Sequence, residues 1–363
     1  MWSARTQTDI LSRLAKWIQL VFFGGVILYI GKILFVPLLF GLLVALVTYP
    51  VCKKLEEMGL RRSSSITAIL IFVMLLFLTL FWLLGQELFI TMRDLPLVLK
   101  RFSRLTPNAK LWIEHSFSIS PTNLENWLNQ ITANIGREIT NSLGGLLNTT
   151  FATVITLLII PVYTALFLYH RGTFVRFLIY VFGVENSDKL NLVLQRSVLN
   201  YFRFVKGNFY VYCIVGVLNS TALLLLGINH AILYGMMTSF MMIIPYVGIF
   251  VSASIPISAA LLTKDSIWYP IAIIIVIFVV IQYLESNVIF PRIVGAQLNL
   301  STWSTLVAII AGTILWGIAG MILVTPLLSI LKIVSDQVPE LKALNVLLNR
   351  SEGYHGKKKK RSV

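Results

Sequence analysis

Between residues 17 and 51 the chain carries a single charge, Lys32, in apolar sequence with Pro37 near its middle. Such a run restricts the solvent more than the fold. A helix rises about 1.5 Å per residue, so about 20 apolar residues cross the roughly 30 Å hydrocarbon core of a bilayer, and this run overshoots it. It reads as a tight hairpin of two short spans, 17–33 and 35–51. Six further runs of helical length follow: 66–88, 146–169, 209–228, 232–262, 267–284 and 303–334. Composition agrees, with 57% hydrophobic and only 12% charged residues, against about 25% charged in a soluble domain. Too few polar side chains remain to cover a water-facing surface, which excludes a soluble enzyme. The fold class expected is all-α, a polytopic integral membrane protein with about eight transmembrane helices, broken in the C-terminal half. It divides as one membrane domain, 1–363: spans one to three over 1–91, an outer amphipathic insertion over 92–145, spans four to eight over 146–335, and a basic cytoplasmic tail over 336–363. No Ala-x-Ala-like site follows the first run, so it is expected to stay as an anchor.

Thirty Lys and Arg against fifteen Asp and Glu would suggest nucleic acid in a soluble protein, but in a membrane protein cations mark cytoplasmic loops. With the N-terminus inside, this eight-span reading puts 22 cations on the inner segments and 8 on the outer ones, so both termini are expected in the cytoplasm. The run 357–361, four lysines and an arginine, then reads as an attraction to anionic lipid and a topology anchor, not as a nucleic-acid patch. Two stretches outside the spans have helical period. One starts at Ser120 and Pro121 and lines up Leu124, Trp127, Leu128, Ile131, Ile135 and Ile139 on the outer side; the other covers about 187–205, with Leu190, Leu194, Val198, Tyr201, Phe202 and Val205 on one stripe.

No motif of a metalloprotease, serine hydrolase, nucleotide-binding loop or potassium filter is present. Cys52 and Cys213 lack zinc-site spacing, and the histidines are scattered. No enzyme activity, metal or cofactor is expected. What remains is transport, or a membrane scaffold.

Polar groups are expensive in lipid and mark pathways. Three interruptions stand out. Gln282, Glu285, Ser286 and Asn287, with Pro291 and Arg292 beyond, close the seventh span; Glu285 there could serve as a cation or proton ligand, or pair with Arg292. Pro245, Gly248 and Pro256 break the sixth span, since each proline removes a ladder bond, and unwound backbone at that depth must face protein or water. Lys206, Gly207 and Asn208 open the fifth span, with Asn219 three turns on as a helix-to-helix hydrogen-bonder. In the last span Gly312, Gly317 and Gly320 read as packing, and Pro326 as a bend at its inner end.

The order and spacing of these residues resemble the autoinducer-2 exporter family. The resemblance is carried by Gly207-Asn208, the run Ile-Pro-Tyr-Val-Gly at 244–248 with Pro256, the run from Gln282 to Asn287 with Pro291-Arg292 and Gly295, and Gly312, Gly317, Gly320-Met321 and Pro326-Leu327, over roughly 200–335. It implies a secondary transporter, or permease. The cargo it implies is autoinducer-2 or a similar small polar molecule, with a monovalent cation (sodium)/proton antiporter as the alternative. The pathway residues expected are Glu285, Asn287, Gln282, Asn208, Pro245, Gly248, Pro291 and Arg292. The partners expected are the lipid bilayer and a second copy of the chain, and no nucleic acid.

Overall fold

The computed structural model describes residues 4–79, 158–182, 187–244, 247–264, 268–294, 300–338 and 341–349, with positions 82, 85, 86, 97 and 266. The outer amphipathic helix expected over 120–139 lies outside these residues, as does Pro245. The described elements are helices: α1 (Ala4–Ile30), α2 (Lys32–Glu57), α3 (Arg62–Thr79), α4 (Leu158–Tyr169), α5 (Arg171–Phe182), α6 (Ser187–Leu225), α7 (Ala231–Met241), α8 (Val247–Thr263), α9 (Trp268–Ile293), α10 (Thr302–Trp316), α11 (Ile318–Gln337) and α12 (Lys342–Leu348). By length and composition five of them can cross a membrane, or six if α4 and α5, bent by 69° at His170, count as one span. Phe72, Ile314 and Leu225 stand exposed on their surfaces, as lipid-facing side chains do. The chain is therefore a multi-pass membrane protein.

Contacts gather into two compact units, Met1–Lys53, Ile159–Tyr201, Leu298–Val363 and Lys54–Leu158, Phe202–Gln297. In the first, the break between α1 and α2 is one residue wide. Gly31 N–H donates to Ile27 O at 2.8 Å, and Gly31 O accepts from Leu34 and Phe35 at 2.9 Å. α1 packs against α10. Trp316, at the C-terminus of α10, donates its indole N–H to the Leu28 carbonyl at 2.9 Å, next to the break where helical carbonyls lose their partners. Trp316→Phe should lower stability by about 1 kcal/mol, read as a reduced thermal midpoint in detergent; an unchanged midpoint would mean that water or lipid replaces the bond. On α4, Thr164 Oγ1 donates to Ile160 O at 2.9 Å and to Gly41 O of α2 at 3.2 Å.

The expected last span, 303–334, is two helices. Gly317 has φ +63°, a conformation that L-residues avoid, and it reverses the chain so that α10 and α11 pack together. A Cβ on Gly312 would lie 2.8 Å from the Gly320 carbonyl oxygen, so these two glycines are packing residues as expected, while Gly317 makes the turn. At the open end α12 spans the pair. Leu348 O accepts from Ser301 N–H at 2.8 Å, Leu347 O accepts from Ser304 Oγ, and Asn345 Nδ2 donates to Asp336, which also pairs with the buried Lys332. Both ends of the hairpin thus lie on one side.

In the second unit, α6 is longer than the sequence suggests. The amphipathic stretch 187–205 and the fifth span form one helix, because no breaker separates them. Gly207 sits inside it, packed so that a Cβ would lie 3.1 Å from Val294 Cγ2. The helix ends at Gly227, φ +65°, with Ile228 N–H to Leu223 O at 3.0 Å and Gly227 N–H to Leu224 O at 2.9 Å, a Schellman close. α7 then runs back along α6. Asn219 Nδ2 donates to Thr238 Oγ1 at 2.8 Å, which is the helix-to-helix role expected of it, and Ser220 Oγ donates to Gly216 O and to Ile232 O.

The sixth span, 232–262, is a pair of helices, α7 and α8, and not one kinked crossing. Leu223, Ile228 and Ala231 form one buried cluster with Ala260 of α8 and Ile273 and Ile277 of α9. Lys264 reaches to within 3.1 Å of where a Gly227 Cβ would stand and lies over the Tyr269 ring at 5.0 Å. The turn after α6 and the turn after α8 are therefore on one side, with Pro256 buried inside α8.

Candidate functional site

The eleven residues of α7 reach about 16 Å, half the depth of a bilayer, before the chain turns at 242–244. The pairings of Ser220 with Gly235 and of Gly216 with Ser239 set an antiparallel register between α6 and α7. Carried on by a turn, it brings Tyr212 level with that break. At the break itself Gly248 N–H donates to Ile244 O at 3.0 Å, and Gly248 is buried so closely on the Met241 carbonyl that no Cβ fits.

α9 packs beside α8, and its far end meets α6 where Gly207 touches Ile293 and Val294. Its polar residues fall in the same layer. Gln282 Nε2 donates to Glu285 Oε2 at 2.7 Å and to Ser286 Oγ at 3.1 Å, and Ser286 Oγ donates to Glu285 Oε2 at 3.0 Å. Tyr212 of α6 lies within electrostatic reach of Glu285. Glu285 and Gln282 are half-buried, and Ser286 and Asn287 exposed.

Of the expected site residues, the fold joins Glu285 and Gln282 directly, and Gly248 stands buried at the α7–α8 break. Asn208 is half-buried on α6, beside Gly207 and near the far end of α9. Asn287 turns inward on its own helix, its amide donating to Tyr283 O at 3.1 Å. Arg292 is exposed and makes no ion pair with Glu285 among the described residues, so the pairing reading fails: on a helix of this length the two stand two turns apart. Pro291 does not lie beyond the span's end either. The seventh span continues through it to Ile293, because the helix widens there: Ile275–Ile281 and Glu285–Ile289 are π-helical, with Gln282 N–H on Ile277 O and Phe290 N–H on Glu285 O, each five residues back. Such wide turns gather at functional sites.

Tyr212 was not singled out from sequence. The signal available was its place one helical turn beyond Asn208, in the layer that a returning α7 would meet.

Chemically, the cluster offers a carboxylate, an amide, two hydroxyls and a broken helix pair in an apolar surround. That inventory can replace the hydration shell of a small polar molecule or ion. The chain is similar to YrrI of Bacillus subtilis (strain 168), 32% identical over 131 residues and 36% of each chain, and to YueF of the same organism, 26% identical over 312 residues and 82% of each; both are named as candidate transport proteins. It is also 26% identical to the AI-2 transport protein TqsA of Escherichia coli (strain K12), over 43% of this chain and 45% of TqsA. The family model described as AI-2E family transporter matches residues 18–340, which takes in the α7–α8 break, the α9 cluster and the α10–α11 hairpin, and the chain belongs to that family of transporters.

Proposed function

We propose that this chain is a secondary transporter that carries a small polar solute of the autoinducer-2 kind across the cytoplasmic membrane, through the layer where Glu285, Gln282, Ser286 and Tyr212 meet the α7–α8 break. The observation that carries the reading is the hydrogen-bonded trio Gln282–Glu285–Ser286 in a helix whose thirteen preceding residues, 269–281, are apolar. A polyol exchanges hydrogen bonds with water for bonds to these donors and acceptors, and the carboxylate can accept from two neighbouring hydroxyls. Asn208 stands toward one mouth of that path. The name of TqsA supports this class of cargo.

The experiment is parallel flux in one preparation of proteoliposomes: labelled autoinducer-2, and sodium against an imposed proton gradient. Saturable movement of the furanone without proton-driven sodium flux supports the reading. Sodium flux alone would replace it with a cation/proton antiporter, and no flux of either would leave a scaffold.

The orientation proposed keeps both termini cytoplasmic. If α7–α8 and α10–α11 each return to the side they left, Lys264 moves outside and Arg292 inside, and the 22-to-8 cation asymmetry stands. Single cysteines at Asn229 and Ser266 should both react with an impermeant thiol reagent added outside intact cells, and cysteines at Leu300 and Ala343 should both be protected. Opposite behaviour of Asn229 and Ser266 would restore a sixth span that crosses once.

A further inference from the structure

We propose that Asn287 and Pro291 are positioning residues: together they hold α9 in its wide, π-helical form over Glu285–Ile289, and that form sets the face on which the Gln282–Glu285–Ser286 cluster meets Tyr212. The inference rests on the transport reading above for its functional consequence, but not for its geometry.

Pro291 has no N–H, and in an α-helix its ring collides with the carbonyl four residues back, that of Asn287. Most helices kink there. Here the turn before it widens instead, with Phe290 N–H reaching back five residues to Glu285 O, and the helix then closes normally with Val294 N–H on Phe290 O. Widening has a cost, because it shifts backbone carbonyls off their α-helical donors in a solvent that supplies none. The Tyr283 carbonyl, which in an α-helix takes the backbone N–H of Asn287, is met by that residue's side-chain amide at 3.1 Å. One residue thus removes the α form and the other helps to satisfy the π form. Asn287 therefore serves the site from behind, holding the helix and not the solute.

A π turn holds one residue more than the α turn it replaces, so restoring α bonding rotates everything beyond it by one residue's share of a turn, roughly 100°. Gly207 on α6 fixes the far end against Ile293 and Val294, so the rotation must appear either in that contact or in the cluster.

The test uses the full chain with Cys52 and Cys213 replaced by alanine, reconstituted in vesicles, with single cysteines placed in turn at 278–286 and 289–294 and modified by a water-soluble maleimide. In Pro291→Ala, and separately in Pro291→Leu in case the first variant folds poorly, the reactive positions in 289–294 should shift by one residue relative to those in 278–286. Asn287→Leu, in which the Pro291 ring still bars the α form, should keep the parent pattern and lower the thermal midpoint in detergent, and an unchanged midpoint would remove Asn287 from the proposal. Deleting Val288 in the Pro291→Ala background should return the parent pattern, since it removes the extra residue. The same reactive positions in parent and both Pro291 variants, or no return on deletion, would overturn the proposal. Maximal uptake of labelled autoinducer-2 should fall about tenfold or more in Pro291→Ala, the scale of effect expected from a misplaced site, and recover with the deletion. If the parent itself moves no autoinducer-2, the cargo reading fails while the maleimide pattern still decides the helix.

Discussion

Replacing Glu285 by alanine should cut the initial rate of autoinducer-2 uptake into proteoliposomes about tenfold or more, with insertion and yield in the membrane unchanged. Glu285 Oε2 accepts from both Gln282 and Ser286, and hydrogen bonds to a charged acceptor contribute about 1.5–3 kcal/mol each. Alanine removes the acceptor that the two share, leaving the Ser286 hydroxyl without it and Gln282 with only its bond to Ser286, in the layer where a solute must exchange its water. The insertion energy of α9 improves, if anything, when the carboxylate goes, so a loss of rate is not a loss of fold. Glu285→Gln separates two roles: it keeps size and one acceptor oxygen but cannot titrate. Partial activity in the glutamine variant fits a hydrogen-bonding role toward a neutral solute. Complete loss in Gln as well, together with a lost response to an imposed proton gradient, would make Glu285 the proton carrier of an exchanger. Wild-type rates in Glu285→Ala would remove the cluster from the pathway.

The sequence was informative wherever lipid is the arbiter. Apolar length located most of the helices, and the polar interruptions named Gln282 and Glu285, because a carboxylate in such a run has few structural uses. Asn219 and the pair Gly312 and Gly320 were legible for the same reason: in lipid, small and amide-bearing residues are what bring helices together. What sequence could not separate was a crossing from a return. The runs 232–262 and 303–334 each have the length of a long tilted span, and equally that of two shorter helices. Deciding between them takes the contact of Lys264 with the Gly227 turn and the closing of the α10–α11 base by α12. In the orientation proposed, the charge count gives no warning, because the two reversals compensate and leave it unchanged. Pro291 misled for a different reason. A proline near a run's end reads as its terminus, whereas a helix that can widen absorbs it, and with it the alternative pairing of Glu285 with Arg292 disappears. Tyr212 was invisible because its place in the proposed layer depends on the register of α7 on α6, a tertiary quantity.

The hairpin α10–α11 offers the sharpest test of the turn-back architecture, through Gly320→Val. A Cβ at Gly320 would collide with the Gly312 carbonyl, and Trp316 Cβ would lie 3.1 Å away. The obstacles are backbone, so no rotamer change relieves them. Overpacking of this kind costs about 1–3 kcal/mol where side chains can yield, and more is expected where two backbones must separate. The thermal midpoint of the purified protein in detergent should fall by several degrees, and the α12 base should loosen, so that a cysteine at Leu348, buried in the parent, becomes reactive. Gly317→Ala is the matched control. It meets no atom within 4 Å but sits at positive φ, so it should cost about 1 kcal/mol through backbone strain alone and leave the Leu348 cysteine protected. If 303–334 instead formed one continuous span, alanine at Gly317 would stabilise it as a better helix former, and valine at Gly320 would face lipid or a neighbouring helix with little effect. The sign of the Gly317→Ala shift therefore decides between hairpin and span, independently of any transport assay.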